Sequence, residues 1–441
     1  MQLHMRPFLP VLIVGLAGCA VASGPAPVVA SQSTSTVERT AIPATPPPVE
    51  ATAILHAIDG ERMKADVTRL AAFGTRHTLS DTTSETRGIG AARRWIEAEL
   101  ARAGGSFLHV ALEPHVVHAD GKRIPRDVEI DDVVATLPGA SQRRYYVVAH
   151  YDSRCTDVMD ATSDAPGAND DASGIAVLLE LARVLPGHAF DGTIVLLATA
   201  GEEQGLYGAK EHATTLSGVD VRAVLNNDIV GDPAGGNPRR VRVFSKGQDD
   251  SPSRELARFV ADTAAWEGIV PLAQLVLRPD RILRGGDHLP FDDAGFPAVR
   301  FTASGEDYSR QHQNVRTEGG VSFGDTPEHV DSVYLAGVAR LDAAAIIHLA
   351  SAPVPPSDTH VVAELSRDAH LRWSPGTSVP PRGYEVVWRV TTSATWEHAL
   401  DVGSVTEATL PLSKDDFFFG VRAYDARGYR SPVSLARPVA P

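Results

Sequence analysis

Five short segments of this sequence set imidazoles and carboxylates close together. They are His150-Tyr151-Asp152-Ser153, the run from Gly167 to Gly174 (GANDDASG), Gly201-Glu202-Glu203, Asn226-Asn227-Asp228 and Arg310-Gln311-His312-Gln313. Mixed nitrogen and oxygen donors of this kind suit zinc, with cobalt or manganese as substitutes. Five ligands exceed what one catalytic zinc with an open position takes, whereas two cations sharing a bridging carboxylate accommodate them. The sequence therefore predicts a dinuclear site.

Each part of that site has a physical task. Glu202 and Glu203 are neighbours, and neighbours on an extended backbone point opposite ways, so one can bind metal while the other takes a proton from water. Nearby cations lower the pKa of such a base and enclosure raises it, so its strength is a compromise between the two. Asp152, two residues past His150, can face the same way and accept the other ring proton of that histidine. Asp170 stands just ahead of the small-residue turn Ala172-Ser173-Gly174, where a close-set loop can place one carboxylate between two ions.

The elements that must position these residues are legible in the hydrophobic pattern. Arg144–His150, Thr193–Ala200, Val221–Asn226 and Ala298–Thr302 are short β-branched or aromatic runs, several of them apolar on both faces as in buried parallel strands. Ser173–Leu185, Ser253–Trp266 and Asp331–Ala350 carry helical spacing; Leu178, Leu181, Ala182 and Leu185 fall on one stripe. Alternating strands and helices over 52–352 predict an α/β three-layer sandwich around a mixed, largely parallel sheet. Ligands collect at the carboxyl edge of such sheets, and the strand ends here are His150, Gly201 and Asn226.

HYDS, GANDDASG, GEEQGLYGA, the NND segment and QHQNVRT occur in the order in which they occur in the co-catalytic zinc exopeptidases typified by bacterial leucyl aminopeptidase, and the chain resembles that family over most of 60–350, including Phe73–Leu100. The resemblance implies two zinc ions and a division of roles. His150 and Asp228 would hold one ion, Glu203 and His312 the other, with Asp170 as the bridge and Glu202 as the general base. It also implies a cis peptide at Asp170–Asp171. His288, in Gly285-Gly286-Asp287-His288, competes with His312 for the last ligand position or supports the substrate side. Arg284 and Arg310 are candidates to clamp a substrate carboxylate through a bidentate fork, with a surface ion pair as the alternative. Cys155 lies near His150, but a dinuclear site activates water and needs no thiol nucleophile.

The ends of the chain read differently. Residues 1–19 hold Arg6 as their only charged side chain and an apolar run from Phe8 to Ala17 too short to span a bilayer, ending in Leu16-Ala17-Gly18-Cys19. This resembles a bacterial lipoprotein signal, which implies cleavage before Cys19, acylation there, and anchoring in the cell envelope, at the outer membrane facing the periplasm; the alternative is an ordinary secretory signal cut a few residues later and a secreted protein. Residues 20–51 are rich in proline, serine and threonine without an aromatic residue, a tether by composition. Pro353-Val354-Pro355-Pro356 marks a boundary, after which 358–441 hold about seven short strands: His360–Leu365, Ala369–Trp373, Tyr384–Val390, Trp396–Val402, Thr406–Leu412, Phe417–Tyr424 and Arg430–Leu435. The pattern fits an immunoglobulin-like sandwich and resembles a fibronectin type III module with Trp373 and Tyr384 in its core, although Phe417 stands where such modules often have a corner tyrosine. Such modules act as spacers, envelope-binding units or lids on a catalytic domain.

Composition narrows the function further. At 441 residues, 43% hydrophobic and 22% charged, the chain is a multidomain globular protein and not a disordered, collagenous or polytopic one. Lys+Arg 41 against Asp+Glu 55 gives −14, which disfavours nucleic acid as a partner. The expected activity is metal-dependent release of an N-terminal residue from peptides. The alternatives are carboxypeptidase or glutaminyl-cyclase-like chemistry on the same fold, or an inactive envelope-binding protein.

Overall fold

The computed structural model describes residues 48–376 and 381–439. Residues 1–47, which include the signal and most of the expected tether, lie outside the described residues. The expected tether ran to residue 51, but a helix, α1 (Val49–His56), already begins at Val49. Ala51, Ile54 and Leu55 are buried in the main core, so apolar burial overrides the proline-rich prelude.

Eight strands form one mixed sheet in the order β1-β2-β4-β3-β5-β8-β6-β7. They are β1 (His109–Val117), β2 (Val128–Leu137), β3 (Arg144–His150), β4 (Thr193–Thr199), β5 (Val221–Asn227), β6 (Arg240–Ser245), β7 (Leu272–Val276) and β8 (Ala298–Ala303). The central block β4-β3-β5-β8 is parallel, with antiparallel neighbours on both sides. Six of the seven residues of β3 and of β4 are buried, because helices cover both faces. Tyr145, Val147 and Ala149 enter one core, while Tyr146 and Val148 enter the other.

The first face carries α1, α2 (Gly60–Ala71), α3 (Gly88–Gly104) and α4 (Ala172–Val184), together with α7 (Pro252–Glu267) and α9 (Ser332–Ser351). The second carries α6 (Tyr207–Thr215), which follows the single turn α5 (Glu202–Gly205), and α8 (His288–Asp293). Side-chain caps start the important helices: Asp171 accepts from the Gly174 amide, Ser251 from Arg254, and Asp331 from Val333 and Tyr334. Although α9 has the length and apolarity of a membrane span, 89% of its most apolar window is buried in the core.

Register brings the strand ends together. His150 on β3 lies opposite Thr199 on β4, and Asn227 on β5 opposite Phe301 on β8. The loops after β3, β4, β5 and β8 therefore rise from one edge of the sheet.

Beyond the proline cluster two four-stranded sheets follow, in the orders β15-β12-β11-β18 and β14-β13-β16-β17. Their strands are β11 (Ser357–Val362), β12 (Ala369–Ser374), β13 (Gly383–Val390), β14 (His398–Gly403), β15 (Glu407–Leu410), β16 (Phe417–Tyr424), β17 (Ser434–Leu435) and β18 (Arg437–Val439); a hairpin of β9 (Arg316–Glu318) and β10 (Val321–Phe323) precedes them. Both sheets share one apolar core in which Trp373 and Tyr384 meet edge to face at 5.6 Å. The expected strand Arg430–Leu435 shrinks to two residues, and the chain then adds β18 parallel to β11. Arg430 keeps only an isolated β-bridge to Tyr424, and Pro432, which has no amide to donate, interrupts the pairing before β17.

This β-module is docked on α7. Arg258 of α7 donates to the Ala394 carbonyl at 2.8 Å, and Trp396 donates its indole N–H to Glu255 at 3.1 Å. Trp396, expected in a strand, is held in this contact instead. Arg422 reaches Asp262 at 3.2 Å and Glu385 at 2.6 Å, with its guanidinium 4.8 Å from the Trp266 ring. Tyr429 meets His348 of α9 edge to face at 5.2 Å.

One buried acid stands apart. Asp342, in the middle of α9, accepts a hydrogen bond from the Asn227 side-chain amide and faces no cation, so burial pushes its carboxyl up to about 7. The native state then keeps a proton that the unfolded chain loses above the ordinary carboxylate range. Its contribution to stability is intact at low pH and lost as pH rises through 7. Asp342→Asn should therefore stabilise the protein at pH 8 by about 2 kcal/mol, with little effect near pH 4. Urea unfolding at both pH values checks this, and an equal shift at the two would refute it.

Candidate metal centre

The loops at the carboxyl edge converge. From the end of β3, His150 points its Nε2 to within 3.2 Å of Asp170 Oδ1 and 3.9 Å of Asp228 Oδ2. From the loop after β8, His312 places its Nε2 2.9 Å from Asp170 Oδ2 and 3.0 Å from Glu203 Oε1. Asp170 thus presents one oxygen to each imidazole. Ligand atoms of His150, Glu202 and Asp228 lie within 4.8 Å of one another, as do those of Asp170, Glu203 and His312. Glu202 therefore stands within the first cluster.

Local structure fixes these positions. The peptide Asp170–Asp171 is cis, as the resemblance implied. Asp325 accepts from the amides of Asn169 and Asp170 at 2.9 and 2.8 Å, and the buried Arg76 donates to the carbonyls of Tyr151 and Gly167 at 2.7 and 2.8 Å. A Cβ on Gly174 would collide with the Asp171 carboxylate and the Asn227 carbonyl, so only glycine lets α4 start this close to β5. Asp171 itself accepts from the Gly174, His150 and Ile229 amides at 3.0, 3.3 and 3.3 Å. His312 has φ +55°, a strained backbone of the kind concentrated at functional sites.

Asp152 works differently from the expectation. The His150 Nδ1 faces the backbone carbonyl of Asp152 at 3.1 Å, whereas the carboxylate is 3.5 Å away. That carboxylate instead accepts from Thr78 Oγ1 at 2.8 Å and from the Glu202 and Glu203 amides at 3.2 Å each. It caps the turn that carries both glutamates. The shift follows from the orphan N–H groups at the start of α5, which lie closer than the ring.

The other candidates divide. His288 is buried away from the clusters with its Nε2 2.7 Å from the Pro279 carbonyl, and burial takes its pKa down to about 4. Arg310 pairs with Asp232 and Asp307. Arg284 contacts Glu306 at 3.3 Å and Gln311 at 2.8 Å at the wall of the cleft. Cys155 is buried, with its Sγ 3.7 Å from the Asp157 carbonyl.

Three arginines escaped the sequence reading. Arg154 contacts Glu203 Oε2 at 3.0 Å and His312 Nδ1 at 2.6 Å. Arg300, fully buried on β8, lies 2.8 Å from Asp228. Arg123 donates to the Glu203 carbonyl at 2.6 Å. Only Arg154 had a local signal, its place directly after His150-Tyr151-Asp152-Ser153.

The electrostatics of this edge reflect its crowded charges. Burial raises Glu202 well above the usual carboxylate range, with Asp228 and Glu203 adding to it. Burial opposes charge on both imidazoles, yet Glu202, Asp152 and Asp170 outweigh it at His150, and Glu203 with Asp170 lift His312 to about 9. The His150 Nε2 and Glu203 Oε1 atoms are buried without a hydrogen bond of good geometry. Unsatisfied nitrogen and oxygen donors converging from four loops fit zinc.

The comparisons agree with that chemistry. Residues 132–322 match the model of Peptidase family M28. A probable zinc metalloprotease of Leptosphaeria maculans is 44% identical over 89% of this chain and 98% of its own length. Another from Pyricularia oryzae is 44% identical over 96% and 90%. Among solved structures, the LapA aminopeptidase of Legionella pneumophila superposes with a TM-score of 0.52 at 19% identity, covering 68% of this chain and 75% of that one. An aminopeptidase from Aneurinibacillus sp. strain AM-1 gives 0.51 at 17% identity, over 68% and 96%. Fold and site together define a zinc metallopeptidase. The chain belongs to peptidase family M28.

Asp152→Asn would set its NH2 against one of the two amides, that of Glu202 or that of Glu203, and loosen the turn. Zinc affinity should fall by about 10–100-fold. Competition with a chromophoric chelator measures it, and an unchanged affinity would exclude the capping role.

Proposed function

We propose that this peptidase is an aminopeptidase that holds two zinc ions and releases the N-terminal residue of peptides. One observation carries the reading: Asp170 turns Oδ1 toward His150 and Oδ2 toward His312, the disposition of a bridging carboxylate. In this reading His150 and Asp228 hold one ion, Glu203 and His312 the other, and Asp170 both. The Legionella and Aneurinibacillus proteins of the same fold are aminopeptidases, which supports the direction of attack.

The chemistry supplied by bound zinc is polarisation of the scissile carbonyl and a lowered pKa for water. Glu202 does the proton work. It stands within the cluster with its pKa raised by enclosure, takes a proton from the attacking water and returns it to the departing amine. Asp152 holds Glu202 in place through its backbone amide, and Arg300 keeps Asp228 turned inward. The substrate's free amine sits against the Glu202 side of the cleft.

The same reading makes the chain an exported protein. The apolar run from Phe8 to Ala17 and the box ending at Cys19 support cleavage and lipid anchoring in the envelope. The C-terminal module is proposed to be an immunoglobulin-like sandwich of fibronectin type III type. Its two sheets with one core support this.

Glu202→Gln should retain zinc and lose about 10²–10⁴-fold in kcat, read with aminoacyl-p-nitroanilides alongside metal analysis. Near-normal turnover in that variant would remove Glu202 from the mechanism. Separately, His312→Ala should lower the zinc content while His288→Ala leaves it unchanged. The reverse result would move the ligand to His288.

A further inference from the structure

The cleft over the metal centre sets four arginines against four carboxylates, three of which are read as metal ligands. It measures about 330 Å³, and its walls include Arg123, Arg154, Arg281 and Arg284. Arg281 and Arg284 turn to the same carboxylate, Glu306, at 2.7 and 3.3 Å, and Arg242 reaches that group too at 2.7 Å. Asp280 is shared between Arg281 at 3.1 Å and Arg300 at 2.9 Å. The remaining acid of this chain of contacts, Asp228, is one of the residues read as metal ligands.

Around the centre the same reliance on ligand carboxylates recurs. Among the described residues the only carboxylate facing Arg154 is Glu203, again one of those read as ligands. Arg123 is exposed, donates only to a backbone carbonyl, and has no carboxylate within 4.0 Å among the described residues. Arg284 uses Nη1 for Glu306 and Gln311, while its other guanidinium nitrogens make no hydrogen bond among the described residues. When cations occupy the ligands, Asp228, Glu203 and Asp170 no longer offset these arginines. Guanidinium edges turned into a cleft recognise planar carboxylates.

The apolar side of the cleft is thin. Among the described residues Leu206 and Leu283 are its only aliphatic side chains beyond the arginine stems, and Leu283 is fully exposed. No closed apolar slot awaits a leucine-like residue there.

We propose that this cleft selects substrates with a carboxylate beside the scissile bond, received by Arg284 and Arg123. The proposal rests on the peptidase reading above and names its substrate class. The carboxylate can be the side chain of an acidic N-terminal residue or the α-carboxylate of a C-terminal one. Both present the same fork-matching group.

The test uses the zinc-loaded full chain on two substrate arms. One arm compares glutamyl-, aspartyl-, leucyl- and lysyl-p-nitroanilides. The other compares amino-blocked dipeptides that end in a free carboxylate with the same dipeptides amidated. In one arm kcat/KM should favour the acidic member by about tenfold or more, and the ratio should fall as salt is raised. Arg284→Met and Arg123→Met should shrink that ratio chiefly through KM, and Arg284→Lys should restore part of it. A preference in the first arm assigns the side chain; a preference in the second assigns the terminal carboxylate and replaces the aminopeptidase reading while upholding this one. Preference for leucyl over glutamyl substrates without any acidic preference in the second arm would overturn the proposal and leave the aminopeptidase standing. If nothing is cleaved, the peptidase reading fails, and calorimetry of glutamyl- against leucyl-alanine on zinc-loaded Glu202→Gln decides the carboxylate preference alone. Equal binding there would overturn it.

Discussion

Four carboxylates and two imidazoles crowd one edge of a buried sheet, and the surrounding structure answers that concentration of charge. Without cations the imidazoles keep their protons and Glu202 is driven toward its neutral form, because like charges this close cannot all ionise in an enclosed space. The protein offsets the crowding in layers. Backbone amides turn to Asp152 and Asp171, and the Gln311 side chain donates to Asp170 at 2.9 Å. Farther out, Arg154 and Arg300 pair with Glu203 and Asp228. Removing protons from the imidazoles and supplying divalent charge is one and the same event, so metal uptake and deprotonation are coupled here.

That arrangement requires a rigid platform, and the fold supplies it through burial on both faces of β3 and β4. The strands end in register, so four loops leave the sheet within reach of one another. Arg76 then ties the loop after β3 to the loop that carries Asp170, by donating to carbonyls of each. Loops whose backbone is held by buried side chains position ligands with the accuracy that metal binding needs.

The C-terminal module belongs to the same structural logic. Its contacts with α7 include the buried charges of Arg258, Glu255, Asp262 and Arg422, each matched by a partner across or along the boundary. Breaking one side of such a pair strands the other away from water. A freely moving spacer would not bury charged groups against α7. The module therefore extends the catalytic body through its contacts with α7.

The amino-acid sequence alone determined the parallel centre of the sheet (β3, β4, β5 and β8), the helices α4, α7 and α9, and the order of the candidate ligand motifs, because double-sided burial leaves unbroken apolar runs and those motifs sit at strand ends; β1, β2, β6 and β7 came only with the tertiary structure. Arg144–His150 is a strand to the residue, and the helices differ from expectation by a residue at their ends. His150, Asp170, Glu202, Glu203, Asp228 and His312 were all named from local motifs and all converge. Which carboxylate an arginine faces was decided only by the tertiary structure. Arg300 meets Asp228 from another strand, and Arg154 meets His312 from 158 residues away. The choice between Asp152's two tasks was settled in the same way. A guanidinium or carboxylate has no periodic signature, and its role depends on distances that exist only after the sheet has closed.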